Sequence, residues 1–448
     1  MGLAAVAVDR LLVQAAEHYS AGRVAPARTL CSDILAAQPE HLPALHLSAV
    51  MAFAEGRMED GRRLLGRVFE LDPNHAPAFV TLGDAHAVDG KHEDSMAAFL
   101  RAVALRPHDA NLHAKLGTAL AALSRFDDAE AAYRHALTLD PHLMRARFNL
   151  AATLNGQSKF AEAERAYRDL IQRDPDYHGA WLNLGNALAS QDKHDEAVAA
   201  YIHALGADPD NADLHSSLGA VLYKQGQLND AIMHYRIATR LAPDDLSSLR
   251  LLALVLHDAG REREALDIYR LVIARDPDDV VVQSNLGACL VGLGELDEAM
   301  AACERALAVN PKHAPAHTNL GIIFEKKGDL DAAVAAQRRA IAADPDYAKG
   351  YANLAVALRN KGDIDEALAV STRAVELVPD HEPTRYNHAH FLLMCGKLEE
   401  GFVEHQWGRR SQTVSEGMPV FDEPEWQGEP FHGRTLLLFA ECGIGGAV

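Results

Sequence analysis

Residues 178–211 read HGAWLNLGNALASQDKHDEAVAAYIHALGADPDN, and this 34-residue stretch decides the fold. Two groups of apolar or small residues recur in it at helical spacing. They are Leu184, Gly185 and Leu188 in the first half, and Ala197, Tyr201 and Ala204 in the second. Pro209 ends the second group, because proline lacks an amide donor and restricts the residue before it. The stretch predicts two helices joined into one hairpin.

The same pattern returns along the chain, because eleven prolines follow one another at intervals of 34 residues. They are Pro39, Pro73, Pro107, Pro141, Pro175, Pro209, Pro243, Pro277, Pro311, Pro345 and Pro379. With each proline as position 32, eleven full repeats run over 8–381 and a degenerate twelfth over 382–413. Repetition so regular predicts an all-α array of about twelve hairpins.

Position 15, between the two helices, is glycine in nine of the twelve repeats. These are Gly22, Gly56, Gly90, Gly226, Gly260, Gly294, Gly328, Gly362 and Gly396. Glycine permits the left-handed conformation that reverses the chain. Small residues at positions 8 and 20 are expected to let the neighbouring helix come close.

The repeat resembles the tetratricopeptide repeat family in its Trp181-x2-Leu184-Gly185, Ala197-x3-Tyr201 and Pro209. The resemblance covers roughly nine-tenths of the chain. It implies a right-handed superhelical solenoid over 8–413, whose inner wall is formed by the first helices. Each hairpin then buries apolar surface mainly against its neighbours.

The net charge of −20 argues against nucleic acid and anionic membrane surfaces as partners, because phosphate binding needs a basic footprint. Part of the acidity has a structural explanation. Five aspartates stand where second helices are expected to begin, where a carboxylate caps amides and opposes the macrodipole. They are Asp127, Asp195, Asp297, Asp331 and Asp365.

The cysteines are odd in number and form no CxxC pair, so neither a disulfide framework nor a zinc site is expected. They are Cys31, Cys289, Cys303, Cys395 and Cys442. No run of 18 apolar residues exists, and the first residues lack a charged leader or a myristoylation signal. We therefore expect a cytoplasmic location.

Position 6 lies on the expected inner wall and is asparagine in half of the repeats. The candidate peptide-binding residues are Asn149, Asn183, Asn285, Asn319, Asn353 and Asn387, with Asn186 beside Asn183. An amide both donates and accepts, so a row of amides can bind an extended main chain whatever its side chains are. The alternative is that asparagine merely solvates an exposed helix face.

This asparagine row resembles the array of O-linked N-acetylglucosamine transferases, where it implies a sequence-tolerant hold on protein substrates. The row departs from that pattern at Thr81, Lys115, Ser217 and Leu251. A lysine and asparagine clamp for chaperone C-termini needs lysine at position 5, where Ala114, Phe148 and their equivalents stand. A chaperone co-factor role is therefore disfavoured.

Residues 414–448 depart from the repeat and combine a linker, an apolar run at 435–440 that predicts a buried strand, and a glycine-rich turn. They resemble the junction at which bacterial proteins join a tetratricopeptide array to a glycosyltransferase-like domain. The matching residues are Trp426, Gly428, Pro430, Gly433, Arg434, Thr435, Leu436, Leu437, Leu438, Glu441, Gly443 and Gly445. Cys442 and Gly446 depart from the pattern. We expect no transferase activity of this chain alone.

The sequence contains no His-Glu-x-x-His, Gly-x-Ser-x-Gly or Walker motif, so we expect neither metal nor cofactor. His113, His215 and His317 share position 4 and are interpreted as structural. His388 and His390 fall on opposite sides of a helix. Cys289 and Cys303 share one repeat and are expected to be buried thiols.

The leading hypothesis is a protein-interaction scaffold whose concave groove binds extended polypeptides. The alternative is the substrate-recruiting part of a protein O-glycosyltransferase, which an open reading frame past Val448 would favour. A third interpretation is an adaptor that acts by its outer surface. The sequence leaves the oligomeric state open, a homo-oligomer included.

Overall fold

A computed structural model describes residues 2–405, with side chains from residue 8 onward. Within these residues the chain forms helices and no strand, so the predicted all-α fold is confirmed. The helices are α1 (Gly2–Ser20), α2 (Val24–Ala37), α3 (Leu42–Ala54), α4 (Met58–Leu71), α5 (Ala76–Val88), α6 (His92–Leu105), α7 (Ala110–Ala122), α8 (Phe126–Leu139), α9 (Met144–Gly156), α10 (Phe160–Arg173), α11 (His178–Ala189), α12 (His194–Ala207), α13 (Ala212–Lys224), α14 (Leu228–Leu241), α15 (Leu246–Asp258), α16 (Glu262–Arg275), α17 (Val280–Leu293), α18 (Leu296–Val309), α19 (Ala314–Lys326), α20 (Leu330–Ala343), α21 (Ala348–Lys361), α22 (Ile364–Leu377), α23 (Glu382–Met394) and α24 (Leu398–His405). The segment 414–448, with its predicted strand at 435–440, lies outside the described residues.

The loop inside each hairpin has the backbone geometry that the glycine pattern predicts. All nine glycines at position 15 have positive φ, between 69° and 98°. Ser124, Ser158 and Asp192 occupy the same position in the three repeats without glycine, and their φ angles are 58°, 60° and 57°. The left-handed residue is therefore a property of the loop, and glycine is the residue that adopts it at least cost.

The expected capping role of five aspartates is wrong. Asp127, Asp195, Asp297, Asp331 and Asp365 lie one residue inside their second helices and not at the capping position. They still stand in the first turn, where a carboxylate opposes the helix dipole. Four of them instead bind position 14 of the next hairpin, through Gln157, Gln225, Lys327 and Lys361.

Most side-chain caps occur at the first helices, where the last residue of the preceding repeat supplies them, and among the second helices Asp329 caps α20 by accepting from the Ala332 amide. The Asp109 side chain accepts from the Asn111 and Leu112 amides, and the Asp245 side chain accepts from the Ser247 and Ser248 amides. These hydrogen bonds hold the pKa of the Asp245 carboxyl below its ordinary value, chiefly through Ser248. The sequence pattern indicated no role for the last residue of a repeat, so the sequence analysis missed these caps.

Position 8 is glycine in six hairpins and alanine in the other six, and in several hairpins a large residue at position 24 packs against the glycine. A Cβ atom added at Gly185 would lie 2.5 Å from the Tyr201 ring, and one at Gly117 would lie 2.8 Å from the Tyr133 ring. The tyrosine rings are buried against these glycines. The expected packing role of the small residue at position 8 is therefore confirmed at these hairpins.

The described part of the chain divides into two compact units, unit 1 up to Gln227 and unit 2 from Leu228, and each is described by itself. In each unit the hairpins pack in chain order. First helices of adjacent hairpins, such as α7 and α9 or α19 and α21, approach each other more closely than second helices do. The first helices therefore lie on the inner side of the stack in each unit. The superhelical twist stays a prediction.

Second helices of adjacent hairpins are joined by a repeated ion pair between arginine at position 25 and glutamate at position 19 of the next repeat. The pairs are Arg134–Glu162, Arg168–Glu196, Arg236–Glu264, Arg270–Glu298 and Arg338–Glu366. The spacing of 28 residues in the sequence would have revealed them. Each pair is largely exposed to solvent, so it contributes only about 0.2–1 kcal/mol to the stability of the fold.

Candidate peptide-binding surface

The inner face of each unit is formed by positions 2, 5, 6, 9, 12 and 13 of the first helices, which helical periodicity places on one side. The position-6 asparagines lie on α9, α11, α17, α19, α21 and α23. All are half-buried except Asn387, which is exposed. Their partial burial distinguishes them from freely projecting surface amides.

Two of the position-6 side chains, Asn319 and Asn149, reach across the seam between consecutive first helices. The Asn319 Nδ2 donates to the Ser284 carbonyl oxygen at 2.9 Å and approaches the Ser284 hydroxyl at 3.3 Å. The Asn149 Nδ2 lies 3.4 Å from the Thr118 hydroxyl. These two asparagines therefore contribute to hairpin stacking, which the sequence analysis did not foresee.

Several polar atoms of the row remain available within the part of the chain that the structure describes. The Asn183 Nδ2 donates to the Gly179 carbonyl at 3.0 Å, while its side-chain oxygen accepts nothing from these residues. The Asn319 side-chain oxygen likewise accepts no hydrogen bond from these residues. The Asn353 Nδ2 is buried and has no hydrogen-bond partner among the described residues. A buried amide without a partner costs about 1–3 kcal/mol, which a ligand that satisfies it would recover.

Asn186 has a different environment from the rest of the candidate residues. Its Oδ1 accepts a hydrogen bond from the Tyr201 hydroxyl at 2.7 Å, across the two helices of one hairpin. Burial raises the pKa of Tyr201 to about 12, so the hydroxyl remains a donor at neutral pH. Asn186 thus holds α12 against α11, and its oxygen is already engaged.

In unit 2 the asparagines alternate with apolar residues along the inner face. Position 9 carries Ala288, Ile322 and Val356, one turn beyond Asn285, Asn319 and Asn353. These apolar side chains are half-buried. The surface therefore offers hydrogen-bonding groups and apolar patches at the same 34-residue interval.

In unit 1 the inner face contains a cavity of about 490 Å³ bounded by α5, α6, α7 and α9. We name it the unit-1 cavity. Phe99 and Leu143 supply apolar lining, and Asn149 lies at its edge. Lys115 and Arg145 bring two cations to it. Lys115 is one of the departures from the asparagine row, so the sequence search for asparagines passed over it.

The position-4 histidines are structural, as the sequence analysis expected. His113, His215 and His317 each donate through Nε2 to the carbonyl oxygen of the proline six residues earlier, at 2.9, 3.0 and 2.9 Å. Trp181 and Gln283 do the same at 3.2 and 3.1 Å. In these five hairpins, position 4 therefore fixes the first helix to the preceding turn.

The remaining histidines and cysteines of interest are also held in the fold. His388 is buried and lies 2.8 Å from the Ser371 hydroxyl, whereas His390 contacts the Tyr386 and His405 rings. Burial raises the pKa of Cys289 to about 11 and that of Cys303 to about 12. Both are free, buried thiols as expected.

Neither a metal site nor a membrane span is found in 2–405. No group of three or more histidine, cysteine, aspartate or glutamate side chains there could hold a metal ion. None of the helices described over the same range has the length and apolar character needed to span a bilayer.

Comparison with known families matches much of the chain to models of one repeat type. Models described as tetratricopeptide repeat match residues 46–110, 110–143, 217–280, 287–348 and 337–369, and one described as TPR repeat matches 185–226. Together they cover more than half of the chain. The chain belongs to the tetratricopeptide repeat family. None of these matches extends past residue 369, so the resemblance of 414–448 to a glycosyltransferase junction stays a prediction.

Solved structures of tetratricopeptide repeat proteins are similar to this one over various lengths. YrrB, described as having an unusual peptide-binding site, is 24% identical with a TM-score of 0.36 over 41% of this chain and 95% of its own. TTC0263 of Thermus thermophilus is 28% identical with a TM-score of 0.39 over 41% and 100%. Yeast Tom70 is 13% identical with a TM-score of 0.42 over 91% and 98%. A search of curated proteins found no match.

Proposed function

We propose that this tetratricopeptide repeat protein is an interaction scaffold that binds extended polypeptide segments along the inner face of each unit. The observation that carries the proposal is the row of half-buried asparagines with polar atoms left unpaired, above all the buried Asn353 Nδ2. An extended main chain presents an N–H and a C=O at nearly every residue, so it can satisfy such atoms whatever its sequence.

The apolar residues between the asparagines support the same proposal. Ile322 and Val356 are half-buried beside Asn319 and Asn353. A bound segment would cover them with its own side chains, and each square ångström of apolar surface removed from water contributes about 25 cal/mol. The amides would set the position of the main chain, and the apolar patches would add affinity.

Three substitutions in unit 2 test the proposal. Peptides are first selected on the intact protein from a phage-displayed library of random 12-residue sequences, and one is labelled for fluorescence polarisation. Replacing Asn285, Asn319 and Asn353 by alanine together is expected to weaken its binding at least about tenfold, because each lost hydrogen bond contributes about 0.5–1.5 kcal/mol. Circular dichroism verifies that the variant remains helical.

The matched control carries three alanines on exposed second-helix positions of the same unit, at Asn229, Glu304 and Arg339. It is expected to bind like the wild type. Equal binding by the asparagine variant and the wild type, with loss in the control, would contradict the proposal and favour the outer-surface adaptor.

Single substitutions in the row separate binding from stability. Asn319→Ala removes the bond to Ser284 and is expected to lower the melting temperature. Asn353→Ala removes an unpaired buried amide and is expected to weaken peptide binding without lowering the melting temperature.

The recruiting role in a glycosyltransferase has no support from the described residues, because the segment that suggests it lies outside them. It remains the second function predicted from the sequence.

A further inference from the structure

We infer that the unit-1 cavity binds an acidic side chain of an extended polypeptide, seated beside an apolar one. This inference rests on the proposed function, because it names the ligand chemistry at one place on the same inner face. It assigns that part of the face a sequence preference, which the asparagine row lacks.

The cavity has the size and lining for one or two side chains. Its volume is about 490 Å³, within the range of small ligand sites. Phe99 is 3% exposed and forms apolar lining together with Leu143, while Val88 is 79% exposed and also contributes to the wall. An apolar side chain that enters would cover Val88 and contact Phe99.

Two cations line the same cavity. The Lys115 Nζ lies 2.5 Å from the Asp84 Oδ1 and 5.7 Å from the Phe99 ring centroid, so the ammonium is held over the apolar lining. Arg145 is exposed and forms no ion pair with any residue in the described range. Its guanidinium presents a planar array of donors that matches a carboxylate.

The two cations stand out because the chain as a whole is strongly acidic. The net charge is −20, yet this cavity combines Lys115 and Arg145 with the single carboxylate of Asp84. A ligand carboxylate would meet Arg145 directly and would compete with Asp84 for Lys115. A purely apolar ligand would leave the Arg145 donors to water and would gain nothing from them.

The selection described above also tests this inference. Binders are selected in parallel on the wild type, on Lys115→Ala/Arg145→Ala, and on the charge-matched control Arg106→Ala/Arg165→Ala, whose arginines are exposed and do not line the cavity. Aspartate or glutamate next to a large apolar residue is expected to be enriched on the wild type and the control. The enrichment is expected to disappear on the cavity variant.

Fluorescence polarisation with one such peptide and its Glu→Gln version then measures the preference. The acidic peptide is expected to bind about tenfold more tightly to the wild type, and the ratio is expected to shrink at high salt. Asp84→Asn removes the competing carboxylate and is expected to tighten binding of the acidic peptide severalfold. Unchanged or weaker binding by Asp84→Asn would contradict the inference.

The outcomes separate the two proposals. Peptide binders without acidic enrichment, or with enrichment that persists on the cavity variant, would overturn this inference and leave the proposed function intact. A library that yields no binder sensitive to inner-face substitutions would overturn both. Lys115→Gln/Arg145→Gln replaces the cavity variant if circular dichroism shows that the alanine version is unfolded.

Discussion

At the residue scale, Ser124 and Ser158 hold a backbone conformation that residues with a Cβ atom rarely adopt. The loop between the two helices imposes it, because the same position is left-handed in every repeat whether or not it is glycine. No atom lies within 4 Å of a Cβ added at several of the glycines, such as Gly226. The preference for glycine there is therefore conformational and not steric.

Replacing Ser124 and Ser158 by glycine is expected to stabilise the protein. Relief of the left-handed conformation is expected to raise the free energy of unfolding by about 1–2 kcal/mol per site. The greater flexibility of glycine in the unfolded chain lowers it again by about 0.4–1 kcal/mol. A higher melting temperature in calorimetry would agree with this balance. Ser→Ala at both sites keeps the Cβ and is the control, which should show no gain. A lower melting temperature for the glycine variant would show that the serine side chains stabilise the loops.

At the element scale, neighbouring hairpins are joined by a buried carboxylate in unit 1. Glu164 on α10 is 7% exposed and accepts hydrogen bonds from Gln191 at 2.9 Å and Lys193 at 2.7 Å, both in the next hairpin. Arg168 approaches it at 3.1 Å. Burial alone would raise the pKa of Glu164, but these donors outweigh it and the pKa is lowered.

The direction of that shift predicts a pH dependence. A carboxyl whose pKa is lower in the folded state stabilises the fold above its ordinary value of 4.5, and the contribution is lost as the pH falls through the folded pKa. In the Glu164→Gln variant the side chain at this position does not titrate. The wild type is therefore expected to be more stable than this variant at neutral pH, and the difference should shrink below about pH 4.5. Urea unfolding at several pH values measures it, and a difference independent of pH would contradict the assignment.

The sequence could predict the hairpins because their periodicity depends only on local chain geometry and burial. Positions 7, 8, 11, 20, 24 and 27 are buried in the hairpin of residues 178–211 as predicted. The seam location of Asn319 was not predictable, because it depends on how closely two first helices pack. Lys115 was passed over for a similar reason, since only the fold brings it together with Asp84 and Arg145 in one cavity.

At the scale of the whole molecule, the helices of residues 2–405 make their main contacts with helices one or two places away along the chain. Stability in such an array is approximately a sum of hairpin terms and nearest-neighbour terms. A local defect is therefore expected to remain local, and its effect should decay within a few hairpins.

Gly185→Ala tests this locality. The added Cβ would lie 2.5 Å from the Tyr201 ring, and overpacking of this kind costs about 1–3 kcal/mol. Hydrogen exchange is expected to accelerate in α9–α13 and to change little in α17–α22. Gly206→Ala is the control, because a Cβ there meets nothing within 4 Å and the substitution favours the helix. Equal acceleration along the whole chain would show that the molecule unfolds as one cooperative body.

The hydrogen bond from position 4 to the preceding proline has a practical consequence. At Trp181 the donor is an indole, which bonds to the Pro175 carbonyl and stacks on His203 at 3.9 Å. Because histidine, glutamine and tryptophan all serve there, an indole can be installed at this position in other hairpins. Its fluorescence would then report the unfolding of the hairpin that carries it, so a series of such variants would follow the unfolding of each hairpin separately.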